Sequence, residues 1–175
     1  MCGKCLKHPP PFDHTLAAYR YAFPVDKLIQ ALKFNDHLLL AHYLGNALAQ
    51  QIENRPDCLV ALPLHPMRLR TRGFNQSLLL ASHISRQLGI PLLRHACERV
   101  RNTPPQSSLP WKEREKNMRQ AFACSTGADV NGKHIAIVDD VMTSGASIKE
   151  LARALKQAGA REVSAWVVAR TLPHD

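Results

Sequence analysis

Residues Ile135-Ala-Ile-Val-Asp-Asp-Val-Met-Thr-Ser-Gly-Ala-Ser147 restrict this chain more than any other stretch. An apolar run reaches two adjacent carboxylates, Asp139 and Asp140. A turn of Val141, Met142, Thr143, Ser144, Gly145, Ala146 and Ser147 follows at once, and then an amphipathic segment, Ile148 to Ala158. That order predicts strand, loop and helix. Thr143, Ser144 and Ser147 supply hydroxyl donors, and Gly145 lets the backbone approach an anion closely. The free N–H groups and positive dipole end of the new helix point at the same spot. Asp139 and Asp140 cannot bind a phosphate. They suit a sugar diol, whose hydroxyls donate to carboxylates, or Mg²⁺ held through water. A phosphate cradle beside a diol acceptor predicts a ribose 5-phosphate ligand.

Two acids after a strand also occur in phosphoacceptor receiver domains. There the pair follows the first strand, whereas here only one helix and one strand, Val163 to Ala169, remain. Upstream, Val25–Phe34 and Leu38–Ile52 have helical apolar spacing and break near Asn35-Asp36. Cys58–Leu62 is a short buried strand stopped by Pro63, and Gln76–Leu88 is a helix ending near Gly89. Ile90–Leu93 is a further strand candidate. Arg101–Pro110, with three prolines, is expected to be a mobile loop, followed by a short charged helix over Trp111–Arg119 and a strand around Ala121–Cys124. Asn131-Gly132 is expected to turn. Strands separated by helices imply a parallel sheet with its ligand at the carboxyl ends.

The net charge of +9 is concentrated. Between Cys58 and Arg119, eleven Lys and Arg stand against three Glu, and the remainder is close to neutral. Arginine dominates, and its planar fork suits bidentate phosphate contacts. The field favours polyanions: diphosphate, nucleotide or nucleic acid. No apolar run is long enough to span a bilayer, and the N-terminus lacks the apolar stretch of a secretory signal. Five cysteines, an odd number with irregular spacing, argue against a disulfide framework, so a cytoplasmic location without membrane insertion is expected.

The 135–147 segment resembles the ribose-phosphate signature of type I phosphoribosyltransferases, which bind 5-phosphoribosyl 1-diphosphate (PRPP). The blocks Leu62–Gln76, Arg99–Gln106 and Arg114–Phe122 are similar to those of the ComF family, which is phosphoribosyltransferase-like and linked to natural competence, the uptake of DNA. The resemblance covers most of the chain from about Tyr19 onward. It implies a central, mainly parallel sheet flanked by helices, with a mobile hood loop, over residues 19–175, behind an irregular leader at 1–18. It implies Asp139 and Asp140 as the catalytic carboxylates and Asp139–Ser147 as the ribose-phosphate site. Leu64, His65, Arg68, Arg70 and Arg72 are implied as the diphosphate loop, of which one or two arginines face the ligand if the loop is extended. Arg99, Arg101, Thr103 and Gln106 are implied in the hood, whose alternative is an exposed connector. Trp111 either anchors that loop or stacks on a base. Asn75 and Gln76 are candidate helix caps.

Two functions follow. One is a PRPP- and Mg²⁺-dependent phosphoribosyltransferase with an unidentified acceptor and no identifiable general base, His65 being a candidate by location alone. The other is a binding module that senses PRPP or handles single-stranded DNA. Cys2-x-x-Cys5 is half of a zinc site, and ComF proteins often begin with a four-cysteine zinc module. Structural Zn²⁺ takes four ligands. With His8 as a third and no second CxxC, the pair reads as a remnant or as the half left by a truncated start.

Overall fold

A computed structural model describes residues 9–34, 38–103 and 116–171. Its elements in chain order are β1 (His14–Arg20), α1 (Val25–Phe34), α2 (Leu38–Ala49), β2 (Cys58–Ala61), α3 (Pro66–Arg72) and α4 (Gln76–Leu88). Then come β3 (Cys97–Arg99), β4 (Phe122–Cys124), β5 (His134–Met142), α5 (Ala146–Gln157) and β6 (Glu162–Arg170).

β5 is the axis of the sheet. Ile135 and Ile137 join one apolar cluster with Val163, Ala165 and Val167, while Ala136 and Val138 join another with Trp166 and Val168. A strand apolar on both faces has to lie centrally, covered on each side. β5 pairs in parallel with β6 and with β2, and β1 adds in parallel to β6, giving the order β1-β6-β5-β2. β3 and β4 form a separate antiparallel pair.

The two helices that follow neighbouring strands go to opposite faces. After β5, α5 lays Ile148, Leu151, Ala152 and Leu155 on the Ile135–Ile137 face. After β2, α4 packs Leu80, Ala81 and Ile84 with Ile29, Leu32, Leu44 and Leu48 of α1 and α2 against the other face. Chains that diverge in this way leave a crevice at the carboxyl ends of β2 and β5, where ligands of open α/β sheets bind.

The mainly parallel sheet and the elements α1, α4, β2, β4, β5, α5 and β6 match the sequence expectations closely, and α2 stops at Ala49 instead of Ile52. Ile90–Leu93 contributes one parallel bridge, Leu59 to Leu92. Three corrections arise. Residues 14–18, expected within an irregular leader, belong to β1, an edge strand of half-buried residues that shows no clean apolar alternation. β3 was not anticipated, being three residues long. The segment after Pro63, expected to be a loop, contains α3: Pro66 has the fixed φ that suits a first helical turn, His65 caps it, and Gly73 ends it at φ 83°. The expected helix over Trp111–Arg119 lies largely outside the described residues, as do Gln106 and Trp111.

Leu151 is fully buried between α5 and the sheet. Leu151→Ala is expected to lower unfolding stability by about 2–5 kcal/mol, read from urea titration as a lower midpoint with an unchanged slope. An unchanged midpoint would contradict the packing of α5 described above.

Candidate active site

The β2–β5 pairing continues one residue beyond β2, because Leu62 N donates to Val138 O at 2.9 Å. Asn75 fastens the loop that leaves it. Its Nδ2 donates to Leu62 O at 3.1 Å, while its Oδ1 accepts from Ser77 N at 3.0 Å and Leu78 N at 3.4 Å. The helix cap expected at Asn75 is therefore present, and Gln76 is instead buried with its Oε1 accepting from Arg72 at 2.8 Å.

Asp139 and Asp140 end the buried part of β5, 6% and 4% exposed. Ser77 Oγ, from the first turn of α4, donates to Asp139 Oδ1 at 2.8 Å. Burial, followed by the adjacent charge of Asp140, pushes the Asp139 carboxyl well above the ordinary carboxylate range, and the Ser77 bond pulls the other way. Ser77 was not among the sequence candidates. Its only signal is a hydroxyl in the first turn after an Asn cap, a pattern too common to single out.

Arg99, expected in the hood, closes β3 and is 5% exposed. Its guanidinium donates to Thr103 Oγ1, meets Met118 Sδ at 3.6 Å, and lies 5.8 Å from the centroid of the Phe122 ring. Its Nε is buried with no hydrogen-bond partner among the described residues. Burial, then the like charge of Arg68, lowers the Arg99 pKa to about 10, and the charge of Asp139 opposes that fall. Arg68 donates through Nη2 to Thr103 O, and burial followed by Arg72 depresses its pKa as well. Arg68 of α3 and Arg99 of β3 thus meet at the buried Thr103, and the charge of Asp139 at the end of β5 acts on Arg99.

The helical form of α3 resolves the alternating arginines. Arg68 and Arg72 lie one turn apart on one side, and Arg70 is exposed. Arg101 is exposed and donates to Arg119 O. Leu64 and His65 are half-buried, and His65 Nδ1 accepts from Met67 N at 3.3 Å. Gln106 lies outside the described residues.

At the turn, Gly145 has φ 71° and occupies the N-cap of α5, and as a glycine it supplies no side-chain cap of its own. A Cβ there would meet only the Met142 side chain at 3.6 Å, so backbone twist, not space, demands glycine. Thr143, Ser144 and Ser147 are half-buried, and Ser144 Oγ accepts from Ala146 N at 3.4 Å. Met142 and Ala146 belong to the core cluster and Val141 packs against the other, so these three offer a ligand only their backbone. Among the described residues no three His, Cys, Asp or Glu side chains cluster as a metal site, and Cys2, Cys5 and His8 lie outside the described residues.

The raised Asp139 pKa has a consequence for stability. The folded state holds this proton more tightly than the unfolded chain, whose ordinary value is 3.8. The associated stability is complete below that value and is lost as pH rises through the folded-state pKa. Asp139→Asn keeps an acceptor for Ser77 and removes the loss. It is expected to raise the melting temperature at neutral pH, with the gain vanishing as pH falls to the ordinary carboxylate value; no gain at neutral pH would contradict the burial argument. Ser77→Ala removes a donor from a buried acceptor and should cost about 1–3 kcal/mol in a urea titration.

Comparison with known proteins accords with this geometry. Residues 75–172 match the phosphoribosyl transferase domain family. The chain is 36% identical to the DNA utilization protein YhgH of Escherichia coli (strain K12), across 98% of this chain and 78% of that protein. It is 32% identical to competence protein F of Haemophilus influenzae, across 97% and 78% respectively. The fold resembles part of the glutamine PRPP amidotransferase of B. subtilis, with a TM-score of 0.50, 24% identity, and coverage of 73% of this chain and 25% of that one. With its parallel sheet, the crevice at the ends of β2 and β5, and relatives that align along nearly its whole length, the chain belongs to the ComF family of phosphoribosyl transferase-domain proteins.

Proposed function

We propose that the chain binds PRPP with Mg²⁺ in the β2–β5 crevice and transfers its phosphoribosyl group to an acceptor, releasing diphosphate. The observation that carries this reading is the buried Asp139, held by Ser77 and attracted by Arg99, one turn away from an α5 N-terminus that opens on Gly145 at positive φ. Asp139 and Asp140 accept from the ribose hydroxyls. The turn Thr143–Ser147 receives the 5-phosphate through hydroxyls and helix N–H groups. Leu64 and His65 offer backbone, and Arg68 a guanidinium, to the diphosphate, with Arg99 behind Thr103.

The donor set fits Mg²⁺, because Asp139 and Asp140 are adjacent hard oxygen donors that would hold it. Bound there, Mg²⁺ would supply charge neutralisation for the diphosphate. The chain's own contribution is positional and electrostatic. Binding energy from the remote phosphate fixes the sugar in line with an acceptor, and guanidinium charge favours the departing anion. His65 uses Nδ1 as a helix cap, so the reading assigns it no general-base role.

The names of the relatives, DNA utilization protein and competence protein, link the reading to DNA uptake. A second reading, contact with single-stranded DNA, is favoured by α3, which buries none of its residues and exposes Met67, Leu69 and Arg70 beside the crevice. We place this work in the cytoplasm. No helix among the described residues is long and apolar enough to cross a membrane, and the free thiols of Cys58, Cys97 and Cys124 fit a reducing compartment.

Calorimetry tests the pocket. PRPP is expected to bind only with Mg²⁺, more tightly as pH rises and Asp139 ionises, and to lose its heat in a Ser144→Asp, Gly145→Asp double variant. Equal heat in that variant, or none in the parent, would contradict the proposal. Diphosphate release across a panel of bases separates transfer from sensing, since PRPP retained without turnover is the result expected of a sensor. Single-stranded DNA neutralised at about four phosphates should give a log–log salt slope near roughly −3.

A further inference from the structure

Two thiols outside the crevice face each other across the second sheet. Cys97 of β3 and Cys124 of β4 are register partners, and their sulfurs are 3.0 Å apart. The flanking bonds, Ser125 N to Ala96 O at 2.8 Å and Val100 N to Ala121 O at 2.9 Å, set the phase of the pairing. By that phase Cys97 and Cys124 form a non-hydrogen-bonded pair, in which opposed side chains are closer. Such pairs hold Cα atoms about 4.5 Å apart, inside the range of about 4.4–6.8 Å that a disulfide spans. Closing the sulfurs to the bonded distance of about 2.05 Å takes side-chain rotation and leaves the strands in place.

The two sulfurs are not equivalent. Cys97 is 8% exposed and sits in the core cluster with Met118 and Phe122, whereas Cys124 is half-buried at its margin. A hydrogen bond joins the two sulfurs, and either can donate it. That hydrogen bond pushes the Cys97 thiol up, with burial adding to it, and pulls Cys124 down against its own burial. The accessible sulfur is the one a small disulfide reaches, and burial disfavours a thiolate on the covered one.

We propose that Cys97 and Cys124 form a thiol–disulfide exchange site for low-molecular-weight disulfides, with Cys124 attacking and Cys97 resolving. In the first step the Cys124 thiolate attacks one sulfur of the small disulfide. That S–S bond breaks, a mixed disulfide forms on Cys124, and the first small thiolate leaves and takes a proton from water. In the second step Cys97 gives its proton to solvent and attacks Cys124 Sγ, expelling the second small thiolate. Two protein thiols lose two electrons in all, and the small disulfide gains them as two thiols.

The consequence follows from position. One pair further along the same face stand Arg99 and Phe122, and residues 100–121 join the two strands. A cross-link at Cys97–Cys124 fixes both ends of that connection. The inference rests on the β3–β4 geometry alone and is independent of what occupies the crevice.

The test uses the full chain, incubated natively with oxidised glutathione, quenched in acid and mapped by peptide mass spectrometry. The parent should yield a Cys97–Cys124 cross-linked peptide pair with no glutathione retained on either residue. Cys97→Ser should retain glutathione on Cys124, and Cys124→Ser should leave Cys97 unmodified. In the unmutated chain, iodoacetamide should label Cys124 at least about tenfold faster than the buried Cys58, a reading that does not depend on the variants folding. Absence of the cross-link, glutathione on Cys97 in Cys124→Ser, or equal labelling of Cys124 and Cys58 would each overturn the assignment.

Discussion

Asp139 is held at the end of β5 with its carboxyl buried, one hydroxyl bond from Ser77 and an attractive charge from Arg99. Burying an acid beside another acid is unfavourable, and a core of Val or Ile at this point would be more stable. The surroundings compensate only in part. Ser77 gives a single hydrogen bond, and Arg99, itself desolvated and close to Arg68, brings charge of the opposite sign. The result is a crevice of opposed charges at the carboxyl edge of a parallel sheet, under electrostatic tension that an anionic sugar with hydroxyl donors would relieve at both ends.

The rest of the architecture keeps that arrangement in place. α4 and α5 leave β2 and β5 toward opposite faces, which opens the crevice. Asn75 joins the start of α4 to the end of β2, so Ser77 is aimed at Asp139 by the same side chain that caps its helix. β3 and β4 bring Arg99 from the α5 side of the sheet, supported by Phe122 and Met118. The Cys97–Cys124 pair lies one step behind, so the chemistry of those thiols and the placement of Arg99 share one short ladder.

What the sequence disclosed follows from how local each signal is. β5, the turn and α5 were legible because an apolar run, two acids, a glycine and an amphipathic stretch are contiguous, and the glycine does adopt a positive φ. α1 and α4 were legible from helical spacing, and α4 also from Gly89 at its end. α3 was not, because a seven-residue helix that buries nothing has no apolar stripe to reveal it, and its prolines read as loop stiffeners. β1 escaped because an edge strand is half-covered along its length. Within the site, the acids and the turn were visible. Ser77, 62 residues from Asp139, was not, since only the folded chain brings them together. Arg99 was singled out as part of a covering loop, and its burial in β3 beside Asp139 depends on pairing with β4, which no local pattern encodes.

A structure of the chain soaked with ribose 5-phosphate measures the central claim directly. The phosphate is expected against the N–H groups and hydroxyls of Thr143–Ser147, with the sugar hydroxyls within hydrogen-bonding distance of Asp139 and Asp140. A sugar phosphate bound elsewhere on the surface, or a turn that stays closed to it at saturating ligand, would contradict the account.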